Sequence, residues 1–282
     1  MYKTLIDSET LAENLDNPSW VIVDCRYDLM DGGGGGGRKA WLSSHIPGAV
    51  YASVSGHLSG NVDGLEVTDN GRHPMPAPET MIKTFSDLGI DSGKQVIVYD
   101  DMGGAFAARL WWMLRYMQHD AVAVLDGGWS GWVSGNRQQE SGQISNQVTE
   151  FSGEPASERL VVIDQVSEVT LLIDSRDPDR YQGKLEPIDR AAGHIPGAIN
   201  HFWQNNLNED GRFHSPEKLE ENFKGLLGGT ASEDAVFYCG SGVTACHNLL
   251  AIAHAGLAES RLYGGSWSEW SSDPIRPVAT GS

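Results

Sequence analysis

An α/β fold built twice, each copy a parallel sheet flanked by helices, is what this sequence predicts. Three observations lead there. Segments recur in the same order in the two halves, short apolar runs alternate with stretches of helical period, and 282 residues leave room for about two ordinary domains.

The recurrence is explicit. "VDCR" at 23–26 returns as "IDSR" at 173–176, and "HIPGAV" at 45–50 returns as "HIPGAI" at 194–199. "VIVYDD" at 96–101 answers to "AVFYCG" at 235–240, and "LDGGWSGW" at 125–132 to "LYGGSWSEW" at 262–270. Repetition with the order kept marks a duplicated domain. Between the copies, "QQESGQISNQVTEFSGEPASE" is polar and aperiodic, with the Gly, Ser and Pro of a linker running over the surface. The expected organisation is a domain over 1–139, a linker over 140–158 and a second domain over 159–282.

Within the first copy, "SWVIVD", "KQVIVYD" and "AVAVLDGG" have the length and branched content of buried strands, and "PETMIKTFSDLG" and "GAFAARLWWMLRYM" have helical period. The second copy repeats this with "TLLIDSR", "SPEKLEENFKGLLGG", "AVFYC" and "VTACHNLLAIAHAG". Strand and helix alternating in this way predict parallel sheets covered on both faces. "GGGGGG" at 32–37 lacks the Lys-Ser/Thr pair and the helix start of a phosphate cradle, and reads as a flexible loop. The Trp-rich segments "RLWWMLRYM" and "GGSWSEW" are expected to pack the domain cores.

Composition removes several function classes. With 20 basic and 38 acidic residues the net charge is −18, which repels nucleic acid and anionic membrane. No uncharged apolar stretch is long enough to span a bilayer, and the N-terminus has no basic region followed by an apolar run. Three cysteines are too few and too unevenly spaced for a disulfide framework, which fits a reducing compartment, and a cytoplasmic location is expected. No metal-ligand spacing is present, and neither a metal nor a cofactor is expected.

What the halves share reads as architecture. His45 and His194 occupy the same turn, and Asp24 and Arg26 match Asp174 and Arg176. What they do not share is the candidate chemistry. Tyr99 aligns with Tyr238, and Asp100 then stands where the second copy has Cys239. Only the second copy follows its strand with a cysteine, a glycine-rich loop and a helix expected to start near Val243. Amides at such a loop and helix start point toward an anion and favour a thiolate over a thiol. Two other readings of this stretch are weaker. From Gly240 it has the Gly-x-Gly-x-x-Ala form of a dinucleotide-binding turn, but that turn normally follows the first strand of its domain. A Cys-x5-Arg phosphatase loop needs an arginine where Ala245 stands.

With the duplication, the paired "HIPGA" turns and "CGSGVTA" at 239–245 in view, the chain resembles the tandem-domain rhodanese family of sulfurtransferases over nearly its whole length. The Cys239–Thr244 loop is similar to that of members using 3-mercaptopyruvate. The resemblance implies a catalytically inactive first domain and a catalytic second one. Cys239 would take sulfur from a small anionic donor and hold it as a persulfide. A thiol acceptor, such as thioredoxin or a low-molecular-weight thiol, or cyanide, would then collect it. It further implies that Gly240, Gly242, Val243 and Thr244 supply loop contacts to the donor and that Ser241 hydrogen-bonds near the transferring sulfur. Arg180 in "DRYQG" and Arg190 in "EPIDR" match the arginines that hold the donor's carboxylate and carbonyl. Counting from the shared anchors, the first copy has Met30 and Trp41 at these places. His73 in "GRHPMPAPE" matches a proton-relay histidine. The aspartate of that relay is absent where counting from "HIPGA" lands on Ser55. A thiosulfate:cyanide sulfurtransferase and a sulfur-carrying or regulatory module without turnover are the alternatives.

Overall fold

The computed structural model describes residues 1–28, 35–60 and 71–281. The chain forms two compact units. Unit 1 comprises Met1–Gly64, Pro76–Ala156 and Glu209–Phe213, and unit 2 comprises Leu65–Met75, Ser157–Asn208 and His214–Ser282.

Unit 1 runs β1 (Leu5–Ile6), α1 (Ser8–Glu13), β2 (Trp20–Asp24), α2 (Gly35–Ser43), β3 (Val50–Tyr51), α3 (Pro78–Asp87), β4 (Gln95–Tyr99), α4 (Ala107–Tyr116), β5 (Val122–Leu125) and α5 (Gly128–Ser134). Its five strands lie in the order β1-β5-β4-β2-β3, all parallel. Every residue of β4 and β5 is buried, so both faces of the sheet are covered and these strands are continuously apolar rather than alternating. Helix starts follow local chemistry. Asp7 caps α1 by accepting the Thr10 amide at 2.7 Å, and Pro78 opens α3, where a missing N–H costs nothing. Ile22, Ile97, Tyr99, Leu125 and Trp132 meet in the core.

Unit 2 repeats the plan with β6 (Leu160–Val161), β7 (Leu171–Asp174), α6 (Pro178–Tyr181), β8 (Ile199–Asn200), α7 (Pro216–Leu227), β9 (Ala235–Tyr238), α8 (Ala245–His254), β10 (Arg261–Tyr263) and α9 (Ser266–Trp270). The order β6-β10-β9-β7-β8, again parallel, is that of unit 1. Val236, Tyr238, Trp267 and Trp270 anchor its core.

The shared residues make the same contacts twice. Arg26 binds Asp24 at 2.6 Å and stacks 4.5 Å over Trp129, and Arg176 binds Asp174 at 2.6 Å and stacks 4.8 Å over Trp267. The Nδ1 atoms of His45 and His194 each lie 2.7 Å from a backbone carbonyl, of Trp41 and Tyr181 respectively. Tyr99 and Tyr238 each accept an amide of the "HIPGA" turn of their own copy at 3.2 Å, from Ile46 and Ile195. These groups tie strand ends to loops in both copies.

One local expectation changes. The glycine run is not simply a loop, because Gly35–Gly37 form the first turn of α2. Gly37 is held too close to the Arg26 carbonyl for any side chain, since a Cβ there would lie 1.9 Å from that oxygen. Gly32 to Gly34 and Met30 lie outside the described residues. The polar segment between the copies is fastened to unit 1 along much of its length. Glu140 pairs with His45, Thr149 Oγ1 donates to the Ile90 carbonyl at 2.6 Å, and buried Phe151 packs edge-on against Phe85. Its low periodicity reflects side chains spent on hydrogen bonds to existing elements.

Candidate active site

Strand β9 is buried along its whole length and delivers Cys239, 2% exposed, at its C-terminal end. The short helix α9 pins the turn that follows. The amides of Trp267 and Ser268 donate to the carbonyls of Cys239 and Gly240 at 3.0 and 2.9 Å. The Cys239 amide donates to Ser266 Oγ at 3.1 Å. Gly242 has φ +74°, a left-handed conformation that suits glycine, and α8 begins at Ala245, two residues later than the spacing predicts. Carbonyls of the loop are thus committed to α9 and to the first turn of α8, where Cys246 N and His247 N take the oxygens of Val243 and Thr244. Among the described residues no acceptor takes the amides of Gly240, Ser241, Val243 or Thr244.

Unit 1 shows what the equivalent loop does with its amides. The Asp100 carboxylate, fully buried, accepts those of Met102, Gly104, Phe106 and Ala107 at 2.7–2.8 Å. Burial pushes this carboxyl above its usual range, and the four amides oppose that shift. The first copy therefore fills its anion cradle with its own side chain, whereas the second places a thiol at the mouth of an unclaimed one.

Around the Cys239 loop, unit 2 assembles a polar shell. His73 belongs to the first half of the sequence but to unit 2 in space, and its Nδ1 lies 2.9 Å from Ser241 Oγ. Beside it, Arg72 and Arg180 converge on Gly240. A Cβ built there would lie 3.0 Å from Arg72 Nη2 and 3.5 Å from both Nη atoms of Arg180. Asp189 joins the two arginines, with Oδ1 paired to Arg72 Nη1 and Oδ2 2.9 Å from Arg180 Nη2. Glu186 holds Arg180 at 2.8 Å and Arg176 at 3.2 Å. Burial first, and then the neighbouring Arg180 charge, push the Arg72 guanidinium down to about 10.

The structure thus brings together Cys239, Gly240, Ser241, Gly242, Val243, Thr244, His73 and Arg180. Arg190 is exposed and donates from Nη1 to the Ser272 carbonyl at 3.1 Å. The place beside the loop that the sequence gives to Arg190 is taken by Arg72. Ser55, where counting put the relay aspartate, is in unit 1 and donates to Tyr27 Oη at 2.9 Å. Sequence reasoning passed over Arg72, although it directly precedes His73. It also passed over Asp189, which is visible only as an acid between two candidate arginines.

Fold and site define a duplicated α/β protein that presents a buried thiol to backbone amides and paired guanidiniums, an arrangement fitted to a nucleophilic sulfur reacting with an anion. The Rhodanese-like domain model matches residues 7–135 and 159–273. A Pseudomonas aeruginosa protein named "Probable 3-mercaptopyruvate sulfurtransferase" is 42% identical over 98% of each chain. The rat protein named "Thiosulfate sulfurtransferase" is 30% identical over 96% of this chain and 92% of its own. The solved structure of the 3-mercaptopyruvate sulfurtransferase from Leishmania major superimposes with a TM-score of 0.84 at 32% identity, covering 98% of this chain and 75% of that one. The chain belongs to the rhodanese family, in its tandem-domain sulfurtransferase form.

Proposed function

We propose that the protein moves sulfane sulfur from 3-mercaptopyruvate to a thiol or cyanide acceptor through a persulfide on Cys239, in the cytoplasm, with unit 1 taking no part in the chemistry. The observation that carries this reading is the convergence of Arg72 and Arg180 on Gly240, beside the thiol. A donor with a carboxylate and an adjacent carbonyl offers both guanidiniums an acceptor while its sulfur reaches Cys239.

In the first half-reaction the Cys239 thiolate attacks the donor sulfur. An S–S bond forms and the donor's C–S bond breaks, its electron pair passing to carbon as the enolate of pyruvate. The proton that left Cys239 ends on that carbon, giving pyruvate, and Ser241 and His73, 2.9 Å apart, can hold it in transit. In the second, an acceptor thiolate or cyanide attacks the outer sulfur and the Cys239 thiolate leaves. The unclaimed amides of Gly240, Ser241, Val243 and Thr244 face negative charge in both steps, which is preorganised electrostatic stabilisation. The second guanidinium on the donor is assigned to Arg72 rather than Arg190. Thioredoxin and low-molecular-weight thiols fit the acceptor role. A cytoplasmic location would keep Cys239 reduced, and no helix among the described residues is long and apolar enough to cross a membrane.

The test is pyruvate release from 3-mercaptopyruvate with a thiol acceptor, against thiocyanate formation from thiosulfate and cyanide, with Cys239→Ser as control. The expected outcome is multiple turnovers favouring mercaptopyruvate and none in the variant. A preference for thiosulfate would reassign the donor, and a single sulfur per chain without turnover would make the protein a carrier.

A further inference from the structure

Two guanidiniums held against one glycine repel each other, and neither is locked away from water, their side chains being 15% and 17% exposed for Arg72 and Arg180. Something must keep them converged. Asp189 is placed to do so. Its side chain is 1% exposed, and each of its oxygens engages a different guanidinium. It does this from behind, because Arg72 gives Nη1 to Asp189 and turns Nη2 to Gly240, and Arg180 gives Nη2 to Asp189 while Nη1 also lies against the glycine.

The carboxylate is itself fixed. The Asp189 amide donates to Glu186 Oε1 at 3.0 Å. Glu186 is gripped by Arg176, and Arg176 by Asp174 at the end of β7. A line of alternating charges thus runs from the sheet to the loop: Asp174, Arg176, Glu186, Arg180, Asp189, Arg72. Unit 1 has its first two members, Asp24 and Arg26, in the same geometry. Counting back from the shared histidines, Gly37 and Ala40 stand where unit 2 has Glu186 and Asp189.

We propose that Asp189 is a positioning residue for the donor, a buried carboxylate that bridges Arg72 and Arg180 and holds both turned toward the Cys239 loop. The proposal rests on the reading that this site takes an anionic sulfur donor. Asp189 touches neither the donor nor the reacting sulfur. Its effect belongs to donor binding and not to the later transfer of sulfur.

The experiment compares wild type with Asp189→Asn and Asp189→Glu, each checked by thermal melting. KM and kcat are measured with 3-mercaptopyruvate. Pyruvate affinity is measured by calorimetry, and the rate of discharge to cyanide after loading Cys239 with polysulfide. For Asp189→Asn a rise in KM of about tenfold or more is expected, with a matching loss of pyruvate affinity and with kcat and discharge within about twofold of wild type. Asp189→Glu, which keeps the charge, should recover part of the loss. An unchanged KM and pyruvate affinity, a lowered KM showing that Asp189 competes with the donor, or equal damage to discharge would each overturn the proposal. A wild type that releases no pyruvate would instead count against the proposed function, and the calorimetric comparison would still decide the role of Asp189.

Discussion

Arg72 shows how one residue's setting predicts a measurable effect on donor binding. Burial and the neighbouring Arg180 charge lower its guanidinium from the ordinary value, while the Asp189 carboxylate paired with Nη1 favours the charged form. Arg72→Lys keeps the charge but has no fork to serve Asp189 and a donor at once. The expected outcome is a raised KM for 3-mercaptopyruvate with discharge of a preloaded persulfide unchanged. An unchanged KM would separate Arg72 from donor binding. Cys246, by contrast, has a structural place, since its Sγ donates to the Gly242 carbonyl at 3.3 Å from within α8.

At the scale of elements, the loops after β4 and β9 are one device put to two uses. Both lie at the C-terminal end of a central parallel strand, where the following helix adds its own partial positive charge. In unit 1 the Asp100 carboxylate satisfies four amides of the loop. Asp100→Asn replaces one acceptor oxygen by an N–H₂ group that meets amide donors. Loss of about 2 kcal/mol or more in unfolding free energy is expected, read from denaturant melts, with turnover per folded chain unchanged. Wild-type stability in this variant would mean that the loop does not depend on its internal anion. Loss of turnover with the fold intact would give unit 1 a part in the chemistry.

Across the whole molecule, buried titratable groups make the fold sensitive to acid. Buried His119 and half-buried His201 are pushed below the usual 6.5, burial being the largest cause for each. The folded chain keeps them neutral where the unfolded chain would take up protons. Stability from this source is complete above about 6.5 and is lost as pH falls through it. Fully buried Asp100 and half-buried Glu269, raised by burial, act in the opposite sense as pH falls further into the carboxylate range. The melting temperature should fall as the buffer goes from about pH 7.5 to about pH 6. A flat or rising curve over that interval would contradict the assignment.

The same scale explains what the sequence disclosed. The strands "VIVY" and "AVFY" were legible because central strands of a covered parallel sheet are uninterrupted apolar runs. Cys239 was legible because duplication supplied its own control, an aspartate at the matching place. Arg72 was not, because its partner Asp189 is 117 residues away and only folding brings the two together. Arg190 drew attention through the resemblance and its absence from the first copy, and neither says which way a side chain leaves an irregular segment. Gly35–Gly37 form the opening turn of α2 although glycine is a poor helix former. Gly37 fits there because the Arg26 carbonyl leaves no space for a side chain.

In the proposed reaction the sulfur in transit rides on Cys239. The most direct test of this is intact-mass spectrometry of the protein after 3-mercaptopyruvate without acceptor, followed by peptide mapping and then by addition of a thiol. The expected result is a gain of one sulfur atom per chain, located on Cys239 and not on Cys25 or Cys246, which disappears on adding the thiol and does not form in Cys239→Ser. Pyruvate released without any sulfur on the chain, or sulfur that persists in Cys239→Ser, would contradict it.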